Sequence, residues 1–462
     1  MDHACWFAIS LLVATAISVA QPPGPPQFRD GDVVAFIGDS ITHSRKFHRY
    51  IYDYTLTRFP ERKVRFVNCG IAGDSAGGAV GRLDWDILPN RPNVASLMLG
   101  MNDVGRGYYG KDNPDEANLA ARQNALDSHR RNMETLARRL LANGVLTLIF
   151  CTPSPYDDTG DIPTENLFGV NAALGTCGEY ARNLALQFGG SIVDFHGPMT
   201  ALNIEKQKTD PKFTIIGQDR VHPGDVGQMV MAYLHLKAQG VPALVSSVSL
   251  DGVAGTVVEC ANAEVSEVDL ADGRIAFAIA AKALPMPVED SAKPALDLVP
   301  LVQDLNQEIL QVKLEGAGRM SLAIDGEKVG EYSREELAAG VNLATNPATP
   351  QYKQAREVVA LNDQRSALEV RIRSWAQIRM MLMRAKIDEG DDAAIQTYFD
   401  DFLAKNSTPA GPNPYFAGQF KNYLATRGEL ESLRARIEEL QQQVWQKNQP
   451  VPHRYELAPV AE

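Results

Sequence analysis

The stretch Phe36-Ile37-Gly38-Asp39-Ser40-Ile41-Thr42-His43-Ser44 (FIGDSITHS, residues 36–44) decides how the rest of the chain is read. An apolar run, Val33-Val34-Ala35-Phe36-Ile37, leads into it and stops at Gly38-Asp39-Ser40. A run of that kind closed by glycine reads as a buried parallel strand and its exit turn. In open α/β sheets, ligands sit outside the carboxyl ends of the strands. Ser40 is therefore either a turn or cap residue, for which Asp and Ser are ordinary choices, or a nucleophile at a sheet edge. Taken alone, the stretch favours the turn.

The surrounding chain supplies the context. Residues 30–240 alternate strand and helix patterns, with strands expected at Val33–Ile37, Val64–Asn68, Val94–Leu99, Val145–Phe150 and Ser191–Asp194. The clearest helix runs from about Asp115 to Leu141. Asn113 can cap it, Pro114 suits its first position, Asp115 and Glu116 face the positive dipole end, and Arg138 and Arg139 sit at the other. A last helix, about Pro223 to Gln239, ends at Gly240-Val241-Pro242. Five strands separated by helices predict right-handed βαβ units and a doubly wound parallel sheet.

Beyond this region the pattern changes. Over 242–345 the segments are short and alternating: Thr256–Cys260, Arg274–Ala280, Ile309–Leu314, Met320–Ile324 and Lys328–Val329. Turns at Asp272-Gly273, Gly316-Ala317-Gly318 and Asp325-Gly326 punctuate them, and Leu284–Pro294 reads as a loop, so a β-rich module is expected. Residues 350–449 read as helical. A long polar helix with an apolar stripe spans Gln351–Lys386, and Leu424, Leu430, Leu433, Ile437, Leu440 and Val444 form a second stripe that Gly428 interrupts, with Arg434 and Glu438 as an i,i+4 pair. A packed helical hairpin is expected, with a dimerising coiled coil as the alternative.

At 462 residues the chain is long enough for two or three domains. Its net charge of −12 opposes broad binding to nucleic acid or anionic membrane, which needs basic patches. Residues 1–20 resemble a cleaved secretory signal: Trp6–Ala16 is mostly apolar but too short to span a bilayer, and Ser18-Val19-Ala20 offers small residues at a cleavage site. The positive n-region is missing; only His3 and the terminal amine stand there. The expectation is a mature chain from about Gln21, secreted or periplasmic, with no membrane span. Once Cys5 is removed, Cys69, Cys151, Cys177 and Cys260 remain, matching neither a disulfide framework nor a zinc pattern. One or two bridges and four buried thiols both stay open, and the oligomeric state is not legible.

Four short blocks fall at expected strand exits: Gly38-Asp39-Ser40; Asn68 to Ser75, containing Gly73 and Asp74; Gly100-Met101-Asn102-Asp103; and Asp219-Arg220-Val221-His222-Pro223. In a parallel sheet such loops lie along one edge and can converge. Their chemistry suits acyl transfer. A serine hydroxyl needs an adjacent base, and His222 is the best placed. Asp219, three residues earlier, can accept the other imidazole N–H and fix its tautomer. An oxyanion needs donors, which Gly73 and Ser40 offer from the backbone and Asn102 from its side-chain amide. His43 and His48 are rival bases but lack an acidic partner at similar spacing. Each block alone is ordinary; four in this order are not.

The set resembles the GDSL, or SGNH, hydrolase family, named for Ser, Gly, Asn and His in four blocks, which here are Ser40, Gly73, Asn102 and His222, with the acid at Asp219. The resemblance covers about residues 30–240. It implies a flavodoxin-like three-layer α/β/α sandwich over 28–241, no metal or other cofactor, and esterase activity on acyl groups. Two departures stand out: Arg220 occupies a position usually held by Gly, and Thr42-His43-Ser44-Arg45 is not the usual sequel to the first block. The added β module and helical tail look like secreted, carbohydrate-active bacterial members. The expected activity is therefore removal of a short acyl group, most often acetyl, from a carbohydrate or another small ester. Arg106, Tyr108 and Asp39 are candidate substrate contacts, while Arg45, Arg82 and Tyr109 read as surface residues near the blocks. Two rivals stay open: a lipase or lysophospholipase, and a non-catalytic glycan-binding protein on an esterase fold.

Overall fold

The computed structural model describes residues 21–460 except 112, 272 and 408–410. The expected leader with Cys5, and Asp272 of the expected turn, lie outside the described residues.

Alternation builds the central sheet. In β1 (Val33–Gly38), Val34 and Phe36 enter the core on one face, and Ala35 and Ile37 enter the core on the other. A strand covered on both sides has this pattern. β1 pairs in parallel with β2 (Arg65–Gly70) and β3 (Val94–Met98), and β4 (Thr147–Cys151) and β5 (Ser191–Val193) follow, giving the order 2-1-3-4-5. The intervening helices are α1 (Ser40–His43), α2 (Lys46–Arg58), α3 (Ala76–Arg82), α4 (Glu116–Ala142), α5 (Val170–Phe188), α6 (His196–Gln207) and α7 (Asp225–Ala238). Phe36, Phe47, Tyr50 and Met229 share the core on one face of the sheet. Ile37, Met133, Leu136 and Leu184 share the other. The result is the flavodoxin-like three-layer sandwich. In this strand order the topological switch falls between β1 and β3, where ligands bind outside the strand ends, and Ser40 follows β1 directly.

Some boundaries differ from the sequence reading. α4 is capped by Asp115 rather than Asn113: its carboxylate accepts from the Asn118 N–H at 2.7 Å, one position beyond Pro114. α7 begins at Asp225, with Gly224 as its cap, and leaves Pro223 in the loop that carries His222.

The β module is two packed sheets. β6 (Leu244–Asp251), β7 (Thr256–Ala261), β10 (Gln307–Lys313) and β13 (Val341–Asn342) form one, in the order 13-10-6-7. β8 (Ala263–Ala271), β9 (Arg274–Ala281), β11 (Arg319–Ile324), β12 (Glu327–Ser333) and β14 (His453–Pro459) form the other, in the order 12-11-14-9-8. Val248, Leu250, Phe277, Leu310, Leu322 and Leu457 meet between them. The last strand of the chain thus lies inside the second sheet, between β9 and β11; a module ending at 345 would lack its central strand. Two short helices, α8 (Leu301–Leu305) and α9 (Arg334–Ala339), belong to this region, and the expected loop 284–294 runs into a 3-10 turn over Asp290–Asp297.

Between α9 and β14 the chain forms α10 (Pro350–Ala385), α11 (Asp392–Lys405), α12 (Pro414–Thr426) and α13 (Leu430–Lys447). Leu433 joins Ile378, Phe399, Phe420 and Tyr423 in one helical core, so α13 packs within the chain. Leu424 belongs to α12, not to the same helix as Leu430, and is exposed. α10 lies along α2 and the β2 edge: Asn362 donates to Asp53 at 2.7 Å, Arg45 pairs with Asp363 at 2.7 Å, and Arg373 pairs with Asp86 at 2.8 Å. Among the described residues Cys69, Cys151 and Cys177 are buried free thiols and Cys260 is an exposed one. No helix among them is long and apolar enough to cross a membrane.

Candidate active site

The first block is shaped by a close approach. A Cβ on Gly38 would lie 2.1 Å from Thr42 Oγ1 and 2.9 Å from the Met98 carbonyl oxygen, so only glycine lets β1 end there. Asp39 caps α1, its Oδ1 accepting from the Ile41 N–H at 3.0 Å. Asp39 was expected among the substrate contacts; it is instead 2% exposed and occupied as a cap. Burial, with Asp103 and Asp74 nearby, pushes its carboxyl up to about 7. Ser40 is the first residue of the helix, so its N–H has no intrahelical partner.

The fourth block reaches Ser40. His222 Nε2 lies 2.8 Å from Ser40 Oγ, and its Nδ1 lies 2.5 Å from Asp219 Oδ2. With Nδ1–H donating to the Asp219 carboxylate, the Nε2 lone pair faces the serine hydroxyl. Asp219 is itself fixed: its Oδ1 accepts from the backbone N–H groups of Val221 and His222 at 3.0 and 2.9 Å. Partial burial pushes the Asp219 carboxyl up, but the bonds from the His222 side chain and these amides outweigh it, and the group is held below its ordinary range. Both side chains are about half exposed, so the site opens to solvent.

Block two is a tight turn. The Asp74 N–H donates to the Ile71 carbonyl at 3.1 Å, and Gly73, third in the turn, has φ +78°, a conformation that favours glycine. Ile71 N–H donates to the Gly38 carbonyl at 3.1 Å and Ala72 N–H to His43 Nδ1 at 3.1 Å, tying this turn to block one. Block three ties to block two through Asn102 Nδ2, which donates to the Asp74 carbonyl at 2.8 Å, and Asp103 Oδ1, which accepts from Ala76 N–H at 2.9 Å. Among the described residues, the N–H groups of Ser40 and Gly73 donate to no protein acceptor. Together with the second N–H of Asn102, three donors are left for a ligand oxygen.

The rival histidines are buried supports. Burial pushes both His43 and His48 down to about 3, leaving them neutral. His43 accepts from Ala72, and His48 Nε2 lies 3.1 Å from the Thr42 carbonyl. Arg106 reaches Asn102 Oδ1 only at 3.5 Å, and Tyr108 is 43% exposed beside it. Arg82 and Tyr109, expected at the surface, are buried. Arg82 pairs with Asp74 at 2.8 Å and Asp86 at 2.5 Å under block two, and Arg373 of α10 closes the cluster on Asp86. The sequence signal for Arg82 and Asp86 was their i,i+4 spacing; nothing in sequence pointed to Arg373.

Arg220 explains its own departure. It sits at φ +63°, the backbone region that suits the usual glycine. Its buried guanidinium donates to the carbonyls of Asp157, Gly160, Ile162 and Thr164 at 2.8–3.0 Å. Those bonds offset the strain of roughly 1–3 kcal/mol and fasten the 157–164 loop to the loop that carries His222.

Residues 36–230 match the GDSL-like Lipase/Acylhydrolase family. The chain belongs to that family. This places it among the serine ester hydrolases. An acetylxylan esterase from Geobacillus stearothermophilus is 24% identical over 227 residues, 46% of this chain and 94% of that one. A solved structure of BT4096, a gut microbial diltiazem-metabolizing enzyme, is 30% identical and superposes with a TM-score of 0.86 over 95% of this chain and all of its own. The GDSL domain, the β module and the helical region therefore recur together in that enzyme.

Proposed function

We propose that the chain is a secreted serine esterase that removes acetyl groups from a carbohydrate, with Ser40 as nucleophile. The observation that carries this reading is the relay of Ser40, His222 and Asp219 at 2.8 and 2.5 Å. Ser40 Oγ attacks the ester carbonyl as its proton passes to His222 Nε2. Asp219 holds the tautomer and stabilises the imidazolium. The oxyanion accepts from the N–H groups of Ser40 and Gly73 and from Asn102. The intermediate collapses, the C–O bond breaks, and His222 returns the proton to the departing alkoxide. Water, deprotonated by His222, then attacks the acetyl-Ser40 ester and releases acetate.

Three features support a sugar on the leaving side. A family relative is an acetylxylan esterase. Tyr108 and Phe168 are 43% and 66% exposed, and the Phe168 carbonyl accepts from the Gly110 N–H in the segment that follows block three; exposed aromatic rings of this kind pack on the C–H faces of sugars. Arg106 Nη1, a buried atom next to block three, has no partner among the described residues, and we assign it to a substrate hydroxyl. Residues 1–20 fit a cleaved leader; recovery of a chain beginning near Gln21 from outside the cytoplasm tests export. Substrate is tested by acid release from acetylated xylo-oligosaccharides, diltiazem (an acetate ester) and p-nitrophenyl esters of increasing chain length. Acetyl esters should be turned over fastest. A preference for long acyl chains would show a lipase instead.

A further inference from the structure

The helical region reaches the active site through one side chain. Gln377 of α10, 4% exposed, donates its Nε2 N–H to the Ala72 carbonyl at 3.1 Å. That carbonyl and the Gly73 N–H belong to one planar trans peptide, so they point in opposite directions. In a turn whose third residue is a glycine at φ +78°, this central peptide is the one that can rotate to exchange the positions of its C=O and N–H: turn types I and II differ by that flip. We infer that Gln377 locks the peptide with the Gly73 N–H aimed at the oxyanion, making the helical region an integral part of the hole. Gln377 and Tyr415 are positioning residues, and the inference rests on the reading of Ser40 as nucleophile.

The lock is itself held. Gln377 Oε1 accepts from the Tyr415 hydroxyl of α12 at 3.0 Å, which fixes which end of the amide faces Ala72. On the other side of the turn, His43 accepts the Ala72 N–H. That N–H belongs to the preceding Ile71–Ala72 peptide, so Ala72 is held at both ends, its N–H by His43 of α1 and its C=O by Gln377 of α10. The Arg373–Asp86–Arg82–Asp74 chain runs parallel to this grip and ends on the next residue of the turn. The central peptide of the turn is thus held by a residue some 300 positions later in the chain.

The test uses the full chain. Gln377→Leu and Gln377→Glu both remove the donor, and Tyr415→Phe removes only the hydroxyl that orients it. Kinetics on p-nitrophenyl acetate are paired with inhibition by an alkyl boronic acid, whose tetrahedral adduct with Ser40 places an oxygen in the hole. For the Gln377 variants kcat should fall roughly 10–100-fold, short of outright loss of a donor, with KM little changed and boronate affinity weakened in parallel. Tyr415→Phe should move both readouts the same way by a smaller factor. Unchanged kcat, or a fall in kcat with boronate affinity intact, overturns the lock. If the Gln377 variants do not fold, Tyr415→Phe decides: wild-type kcat and boronate affinity overturn it. Ser40→Ala separates the two claims. If it retains turnover, the nucleophile and the lock fall together; if it is inactive while the Gln377 variants match wild type, only the lock falls.

Discussion

Truncation of Asn102 to alanine isolates one donor of the hole. Asn102 Nδ2 carries two hydrogens: one is donated to the Asp74 carbonyl at 2.8 Å, and the other is free for the oxyanion. Removing the side chain deletes that donor and unties block three from Asp74. The turn keeps its own bond from Asp74 to Ile71, and Ala76 keeps its bond to Asp103, so blocks two and three stay in place. The contact from Arg106, at 3.5 Å, is too long to matter. The loss should therefore stay near that of a single oxyanion donor, roughly 10²–10³-fold in kcat or about 2.7–4 kcal/mol of barrier. KM should hardly change, because the interaction exists only in the transition state. Asn102→Asp keeps the shape but brings a negative charge to a developing oxyanion and should be at least as slow. Steady-state kinetics on p-nitrophenyl acetate, with circular dichroism to confirm folding, provide the assay. A raised KM with wild-type kcat would refute the reasoning, because Asn102 would then bind ground-state substrate instead.

Asp219→Asn should keep the loop but lose the tautomer control over His222, lowering kcat by roughly 10²–10⁴-fold; near-normal turnover would remove Asp219 from the relay. His43→Ala leaves the Ala72 N–H without its acceptor, at a cost of about 1–3 kcal/mol of stability by denaturant unfolding, and should slow turnover, whereas His48→Ala should affect stability far more than rate. His129 is buried 3.2 Å from Asp103; burial opposes its charge, but contacts with Cys177 and Asp103 outweigh this and raise it to about 10. A folded-state pKa raised above the unfolded value near 6.5 gives stability that is full below about pH 6.5 and lost as pH rises toward 10. The stability gap between wild type and His129→Gln should shrink over that window, and a gap constant from pH 6 to 10 would contradict the assignment.

The central sheet was legible because its signals are local. Apolar runs closed by glycine mark β1 to β3, and the blocks follow them directly. The meeting of Ser40, His222 and Asp219 was legible because their loops follow strand ends on one edge of a parallel sheet. What escaped depends on distant partners. β14 is only seven residues long, and its alternation of Tyr455 and Leu457 gains meaning only once β9 and β11 flank it. Asp39 is a substrate candidate by its position, yet the structure turns its carboxylate back onto its own helix. His43 lies three residues after Ser40, but the turn at Ala72 claims its ring. Arg373 and Gln377 are polar positions on a helix read from its apolar stripe, and only its packing on the sheet domain brings them to Asp86 and the Ala72 carbonyl.

The nucleophile itself can be observed directly. Wild-type protein is mixed with p-nitrophenyl acetate, quenched in acid within the first turnovers, and weighed intact before proteolytic mapping. The expected result is a mass increase of one acetyl group, carried on the peptide containing Ser40 and absent from Ser40→Ala, together with a burst of p-nitrophenol matching the enzyme concentration. An acetyl group on another residue, or a Ser40→Ala protein that still turns over the ester, would contradict Ser40 as the nucleophile and return it to the role of a turn residue.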